Sequence, residues 1–337
     1  MVYTVGSMFA GIGGTCLGFK QAGAKVVWAN EMDKNACITY RNYFGEDYLQ
    51  EGDITQIDKT TIPQLDILIG GFPCQAFSIA GYRKGFEDER GNVFFQILEV
   101  LKAQEKVHGS LPKAIMLENV KNLKTHDKGK TYRIIEEALQ AFGYTVKSEI
   151  LNSMEHGNVP QNRERIFIVG FQDAGQADRF KFPGKIPLTN RLNNIVDRDS
   201  KLDDKYYYTE ASQYYPMLRE AMNNTETTYQ LRRVYVRENR SNVSPTLTAN
   251  MGTGGHNVPL VLDNNNNIRK LTPEECLLLQ GFPEDYTFPD KMANGPRYKQ
   301  SGNSVTVPVI KRIATNIITV LDGGAVAESK EEELVSR

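Results

Sequence analysis

From residue 1 to about 170, short apolar runs alternate with longer stretches whose apolar residues recur at helical spacing. The runs predict strands at about 3–6, 25–30, 65–69, 114–118, 144–151 and 165–170. Between them, 14–21, 33–43, 92–106 and 130–142 carry apolar residues three and four apart, which predicts helices. Strands joined by helical crossovers imply an α/β fold with a doubly wound, mostly parallel sheet. Such sheets bind ligands beyond the carboxyl ends of their strands, so the chemistry is expected in the loops that follow each strand.

After Phe171 the rhythm breaks. Pro183, Pro187, the Tyr206-Tyr207-Tyr208 cluster, Asn223-Asn224 and the Asn264–Asn267 tract suit a second, smaller and irregular domain. Ile310, Ile313, Ile317 and Leu321 predict a last helix. The tail from Asp322, with Glu331-Glu332-Glu333, has little to bury and is expected to be disordered. There is no internal repeat.

With 337 residues, the chain can bury a core without covalent staples. Its four cysteines, at 16, 37, 74 and 276, form no Cys-x-x-Cys pair, so neither a disulfide framework nor a zinc site is expected. No uninterrupted apolar run reaches about 18 residues, and the reading is a soluble, cytoplasmic protein off the membrane. A net charge of -1 means that any nucleic-acid contact must come from a local patch.

The first strand runs into Phe9-Ala10-Gly11-Ile12-Gly13-Gly14 and then a helix, as a cofactor loop does. Cys16 stands where a dinucleotide fingerprint needs its third glycine, and there is no Walker lysine, so neither NAD nor ATP is favoured. Glu31 ends the second strand, where a carboxylate can accept both ribose hydroxyls of a nucleoside; Met32 follows it. Asp53 is positioned to meet an adenine amino group, with Phe9 and Ile54 sandwiching the base. Each acid taken alone reads more readily as a solvated loop residue or a helix cap. Together they suggest an adenosine cofactor without a pyrophosphate.

The third strand ends in Gly70-Gly71-Phe72-Pro73-Cys74-Gln75, a cysteine on a glycine-flanked loop at the carboxyl edge. Free cysteines are usually small buried hydrophobes, and Cys16, Cys37 and Cys276 are read that way. Cys74 is read instead as a nucleophile in a setting that lowers its thiol pKa. Leu117-Glu118-Asn119-Val120 brings an acid to the same edge, which the motif alone reads equally as a group placed to share a proton or as a structural carboxylate satisfied by loop amides. In Gln161-Asn162-Arg163-Glu164-Arg165, strand alternation sends Arg163 and Arg165 to one side, where they suit an anionic or carbonyl-rich substrate.

Through these blocks the chain resembles the DNA (cytosine-5) methyltransferase family, in its short bacterial restriction-modification form. The blocks occur in the family's order: Phe9–Gly14, the Glu31 loop, Gly52-Asp53, Pro73-Cys74-Gln75, Arg90-Gly91, Glu118-Asn119-Val120, Gln161–Arg165, Arg269–Pro283 and Gly302-Asn303-Ser304-Val305. They cover 3–170 and 269 to about 320, leaving the middle weakly matched.

The resemblance implies a Rossmann-like methyltransferase fold with S-adenosylmethionine as cofactor, S-adenosylhomocysteine as product and no metal. It carries over cofactor contacts to Phe9, Ala10, Gly11, Ile12, Gly13, Gly14, Glu31, Met32, Asp53, Ile54, Gly71, Pro73 and Val93. Asn303, Ser304 and Val305 are expected to close the methionine end, with the last motif and final helix packed back beside Phe9–Gly14. The implied domains are 1–185 with 299–321 for catalysis and cofactor, 186–270 for target recognition, 271–298 as a hinge and 322–337 as the tail.

Cytosine C5 is too poor a nucleophile to take a methyl group directly, and covalent catalysis solves this. In the implied reaction Cys74 attacks C6, Glu118 engages N3 and the amino group, Arg165 holds O2, and Arg163 supports the backbone or the catalytic loop. The base must first leave the duplex stack. The glycine-punctuated segment 78–91 suits a lid over it, with Ser78, Ala80 and Arg83 as DNA contacts. The richest DNA-reading stretch is 230–256. There Arg232, Arg233, Arg237 and Arg240 outweigh Glu238 by three charges, Gly252, Gly254 and Gly255 let backbone enter a groove, and Thr246-Leu247 resembles a family mark. Gln230 is the candidate to fill the vacated stack.

The expected partner is double-stranded DNA. A cognate endonuclease would act on the same site without stable association, and the chain is expected to be a monomer. A restriction-modification enzyme and an orphan or phage methylase both fit. The nearest rival is a transfer-RNA cytosine-5 methyltransferase, but none of the four cysteines is followed by that branch's Phe-Thr. A catalytically silent DNA-binding protein is disfavoured because Cys74, Glu118 and Arg165 all stand in place. A Cys-His hydrolase is weaker, since His108, His126, His156 and His256 form no pattern expected of a base. Two departures are local: Phe72 replaces a more usual proline, and His156-Gly157-Asn158 stands where relatives often carry an aromatic and one residue fewer.

Overall fold

A computed structural model describes residues 1–72, 93–239, 242–253 and 257–326. Two compact units emerge, one from Met1–Leu151, Glu164–Lys185 and the chain from Val309, the other from Asn152–Arg163 and Ile186–Pro308.

The first unit holds a seven-stranded sheet: β1 Thr4–Met8, β2 Lys25–Glu31, β3 Leu49–Glu51, β4 Ile67–Gly71, β5 Ala114–Val120, β6 Thr145–Asn152 and β7 Glu164–Phe171. Their order is β3-β2-β1-β4-β5-β7-β6. The pairs β1–β2, β1–β4, β2–β3 and β4–β5 are parallel, while β7 runs antiparallel to β5. The sheet is therefore mostly parallel, as expected.

Leu68, Ile115, Leu117, Ile166 and Ile168 share one core with Phe94, Ile97 and Leu101 of helix Val93–His108 and with Ile135 and Leu139 of helix Lys130–Ala141. The alternate residues Ile67, Ile69, Met116 and Val169 are buried on the opposite face. Burial on both faces explains why these strands read as continuous apolar runs. Helix Gly14–Gln21 meets helix Val307–Leu321 so closely that a Cβ on Gly18 would lie 2.5 Å from Ile310 Cγ2.

Three details differ from the sequence expectation. β3 is too short to leave a periodic signal. β4 begins at Ile67, just after Asp66, whose carboxylate accepts from Thr4 N–H, and it continues through Gly70-Gly71. Along the last helix Val320, not Leu321, completes the fully buried stripe of Ile310, Ile313 and Ile317.

The second unit holds a five-stranded sheet: β8 Tyr207–Tyr208, β9 Tyr229–Leu231, β10 Val236–Glu238, β11 Leu260–Leu262 and β12 Ile268–Lys270, in the order β10-β9-β11-β12-β8. Its pairings are antiparallel. Leu260 and Leu262 face a core with Tyr229 and Leu231, whereas Val261 faces one with Leu247, Met251 and Leu279. Strands this short carry almost no periodic signature, so the region reads as irregular. The fully buried Arg269 grips Glu275 bidentately at 2.8 and 2.9 Å, and Glu275 closes a capping box with Thr272 at the start of helix Pro273–Leu278.

Candidate active site

Strand order reverses between β1 and β4, the neighbours at which a doubly wound sheet opens a crevice. The loop from β1 is tightly wound: Phe9, Gly11 and Gly13 have φ of 55°, 56° and 82°. A left-handed Phe9 is costly for a bulky residue and is held by its surroundings. Gly13 is obligatory for another reason, since a Cβ there would lie 2.3 Å from the Phe44 ring.

Three expected cofactor loops are stitched together at this edge. Gly11 N–H donates to Glu31 Oε2 at 2.8 Å, Ala10 N–H to Asn30 O at 2.8 Å, and Gly52 N–H to Glu31 O at 2.9 Å. The other Glu31 oxygen accepts from the Met32 and Asp33 amides, both at 2.8 Å. Asn30, almost fully buried, donates to Gln50 O and Gly52 O. It was missed in the sequence; its only signal is an uncharged polar residue inside an apolar strand. Phe9 packs on the core that contains Ile54, and the Asp53 side chain caps Thr55 N–H at 2.9 Å. Met32 is 66% exposed beside Glu31, and a Cβ on Gly11 would meet nothing within 4 Å, leaving room for a ligand. An acid, amide-lined turns and apolar side chains fit an adenosine better than a pyrophosphate.

At the next edge, Gly71 pairs with Glu118 across β4–β5, and a Cβ on Gly71 would come within 3.3 Å of Glu118 Oε2. Glu118 is bound by Arg165 of β7, Nε to Oε1 at 3.0 Å. Asn119, buried, donates from Nδ2 to Phe72 O at 2.7 Å and so secures the residue that follows β4. Val93 opens its helix and packs on the same core. Pro73, Cys74, Ser78, Ala80, Arg83 and the expected lid lie outside the described residues. The other three cysteines are buried. Burial raises the Cys16 and Cys276 thiols, and burial with Glu51 and Glu31 nearby pushes Cys37 up to about 12, so none is poised as a thiolate.

The alternation expected to carry Arg163 and Arg165 to one side does not apply, because β7 begins at Glu164. Arg163 is buried in the second unit, with Nη1 donating to Leu247 O at 2.7 Å and Nη2 to the carbonyls of Gly302 and Ser304. Thr246 Oγ1 donates to Asn162 O at 2.7 Å. Asn303 ends helix Asn294–Asn303, and Ser304 and Val305 follow it, both mostly buried.

Gln230 and Arg237 face each other across the β9–β10 hairpin, whose tip Arg232–Tyr235 is closed by Arg232 N–H to Tyr235 O at 2.8 Å. Arg232, Arg233 and Arg237 are exposed. Val234 at 83% and Tyr235 at 54% exposure stand between these cations, an apolar tip that charge counting missed. Gly252 packs against Gly295, with only 2.6 Å left between its would-be Cβ and Gly295 O. Arg240, Gly254 and Gly255 are outside the described residues.

Among the described residues, one stretch, Asn294–Leu321, is apolar and long enough by composition to cross a membrane. It is interrupted after Asn303, and its Ile310, Ile313 and Ile317 are fully buried, as in a core helix.

Comparison with known proteins agrees with this geometry. The profile of the C-5 cytosine-specific DNA methylases matches residues 3–319. The chain is 52% identical to the Type II methyltransferase M.Bsp6I of Bacillus sp. (strain RFL6), over 93% of this chain and 98% of that one. It is 35% identical to the Type II methyltransferase M.HhaI of Haemophilus parahaemolyticus, over 92% of each. Among solved structures, the Dnmt2 methyltransferase of S. pombe superposes with a TM-score of 0.74 at 19% identity, over 95% of this chain and 99% of that one, and so shares the fold.

Proposed function

The chain belongs to the C-5 cytosine-specific DNA methylases, and on that footing we propose how its own residues bind, position and react with a cytosine in DNA. It is a DNA (cytosine-5) methyltransferase of an S-adenosylmethionine-dependent family. Neither a transfer-RNA enzyme nor a silent DNA-binding protein is favoured by its relatives, which are Type II methyltransferases.

The observation that carries the reading is the Glu118–Arg165 pair beside Gly71, at the sheet edge from which the chain continues to Cys74. Arg165 directs one donor at Glu118 and retains others for the cytosine O2, while Glu118 delivers a proton to N3 and accepts from the amino group. Attack of Cys74 on C6 makes C5 an enamine carbon. When bound, S-adenosylmethionine supplies the sulfonium methyl that this carbon takes. Loss of the C5 proton then expels Cys74 and restores aromaticity.

The knot of Glu31, Asn30 and Gly11 supports a nucleoside site, with Phe9, Ala10, Ile12, Gly13, Gly14, Met32, Asp53, Ile54, Gly71, Pro73 and Val93 assigned around it. Asn303, Ser304 and Val305 are assigned to the methionine end on the resemblance alone. Residues 186–270 are assigned to target recognition and 271–298 to a hinge. The exposed hairpin tip with Arg232, Arg233 and Arg237 supports a role in reading duplex DNA. We further assign the enzyme to the modification arm of a restriction-modification system in the cytoplasm, acting as a monomer beside an endonuclease that it does not bind stably.

The test is incubation with labelled S-adenosylmethionine, mixed duplex DNA and RNA, followed by mapping of the methyl groups. 5-Methylcytosine at one short DNA word is expected; label confined to RNA would overturn the substrate. Cys74→Ser should abolish the covalent adduct with 5-fluorocytosine DNA, and a surviving adduct would remove Cys74 from its role.

A further inference from the structure

Two glutamines that no step above uses, Gln161 and Gln280, are fully buried in the second unit. Buried amides this far from solvent must have each donor and acceptor accounted for. Leu247 N–H donates to Gln161 Oε1 at 3.1 Å. Gln161 Nε2 donates to Gln280 Oε1 at 3.2 Å and to Leu279 O at 2.6 Å. Gln280 Nε2 donates to Ser301 O at 2.8 Å and Ser304 O at 3.4 Å. The direction of both amides is set by their ends: a backbone N–H at Leu247 demands oxygen, and a carbonyl at Ser301 demands nitrogen.

Arg163 runs parallel to this chain of amides. It binds Leu247 O at one end and the carbonyls of Gly302 and Ser304 at the other. The two ends also touch directly, because a Cβ on Gly302 would lie 2.1 Å from the Thr248 carbonyl carbon and 2.6 Å from Ala249 N. The loop 246–252 and the segment 301–304 therefore form one block, joined through side chains from 161, 163 and 280. Neither segment can shift without breaking buried hydrogen bonds, each of which is costly to leave unmade.

We propose that Gln161 and Gln280 are positioning residues which, with Arg163, couple DNA engagement at the Thr246 loop to cofactor engagement at Gly302–Val305. This rests on the assignment of those two segments to DNA and cofactor. Because the two segments are tied, a shift that a ligand imposes at one end is carried to the other, so each ligand biases the arrangement that the other meets. Linkage then requires the effect to be reciprocal.

The experiment measures the affinity of a fluorescent duplex carrying the mapped methylation site, with and without saturating S-adenosylhomocysteine, and the reverse titration. The wild-type enzyme should show tightening of about fivefold or more, equal in both directions. Gln280→Met, close in length and apolar, should bring that factor towards one. Arg163→Lys keeps the charge but cannot span carbonyls at both ends, and should do the same. In a Gln161→Leu, Gln280→Met double variant the losses should not add, because both residues lie on one path. A wild-type factor of one, or variants that lose thermal stability while keeping the wild-type factor, would overturn the proposal. If Gln280→Met does not fold, Arg163→Lys and the wild-type titrations decide alone. An enzyme that methylates cytosine in DNA yet shows no coupling keeps its function and loses the relay; one that leaves DNA unmethylated loses the function itself.

Discussion

Arg165 and Glu118 meet diagonally across the antiparallel β5–β7 pair: Arg165 stands opposite Val120, and its Nε reaches Glu118 Oε1 at 3.0 Å. Both side chains are only 16% and 12% exposed, so each orients the other with little competition from water. Arg165→Gln is expected to slow methyl transfer by about 10²–10³-fold, the usual cost of losing one preorganised donor. S-adenosylmethionine affinity should change little. Single-turnover methylation and equilibrium binding separate the two, and a rate within a few-fold of wild type would refute the role.

The buried state of Cys16, Cys37 and Cys276 makes thiol chemistry a direct probe of Cys74. Titration of the native protein with a thiol reagent near pH 8 should modify one cysteine quickly, and Cys74→Ser should remove that fast phase. Unfolding in guanidinium should release the other three. Fast modification persisting in Cys74→Ser would mean that one of the buried thiols is accessible.

Tyr3 donates to Asp322 Oδ1 at 2.9 Å, tying the residue before β1 to the residue after the last helix. Burial, then this bond to a carboxylate, pushes its hydroxyl from 10.0 up to about 12. The folded state therefore holds a proton that the unfolded chain releases at lower pH. This stabilisation is complete below about pH 10 and is lost as pH rises towards about 12. Thermal midpoints measured from pH 8 to 12 should fall across that window, and Tyr3→Phe should flatten the fall.

Gly302 leaves no room for a methyl group, and the obstructing atoms belong to the Thr248–Ala249 backbone rather than to a yielding side chain. Gly302→Ala should cost about 1–3 kcal/mol, as overpacking does. Calorimetry is the check; an unchanged midpoint would show that the loop moves freely.

At the β9–β10 tip, Arg233→Ala should weaken binding to all duplexes about equally and reduce the salt dependence by about one phosphate contact. Tyr235→Ala, which removes an exposed ring without changing charge, should leave the salt slope unaltered. Binding isotherms at several salt concentrations distinguish the two. A wild-type slope in Arg233→Ala would exclude a phosphate contact.

Local sequence was enough to locate the α/β rhythm, the glycine turn after β1 and the acids towards the ends of β2 and β5, and to single out Cys74 as the candidate nucleophile. Periodicity of side chains and the backbone demands of glycine and proline act over a few residues, so a linear reading captures them. The resemblance to a family added the substrate and the cofactor. What no local pattern contained were the pairings between distant residues: the reversed β7 that brings Arg165 to Glu118, Asn30 tying the end of β2 to Gln50 and Gly52, and Leu247 joined to Gln161 and Gln280. Likewise, Arg163 and Arg165 sit two residues apart and look alike in sequence, yet a strand beginning at Glu164 gives them different partners. A buried polar group takes whichever partner the folded chain brings within reach, and that choice exists only after the strands have paired.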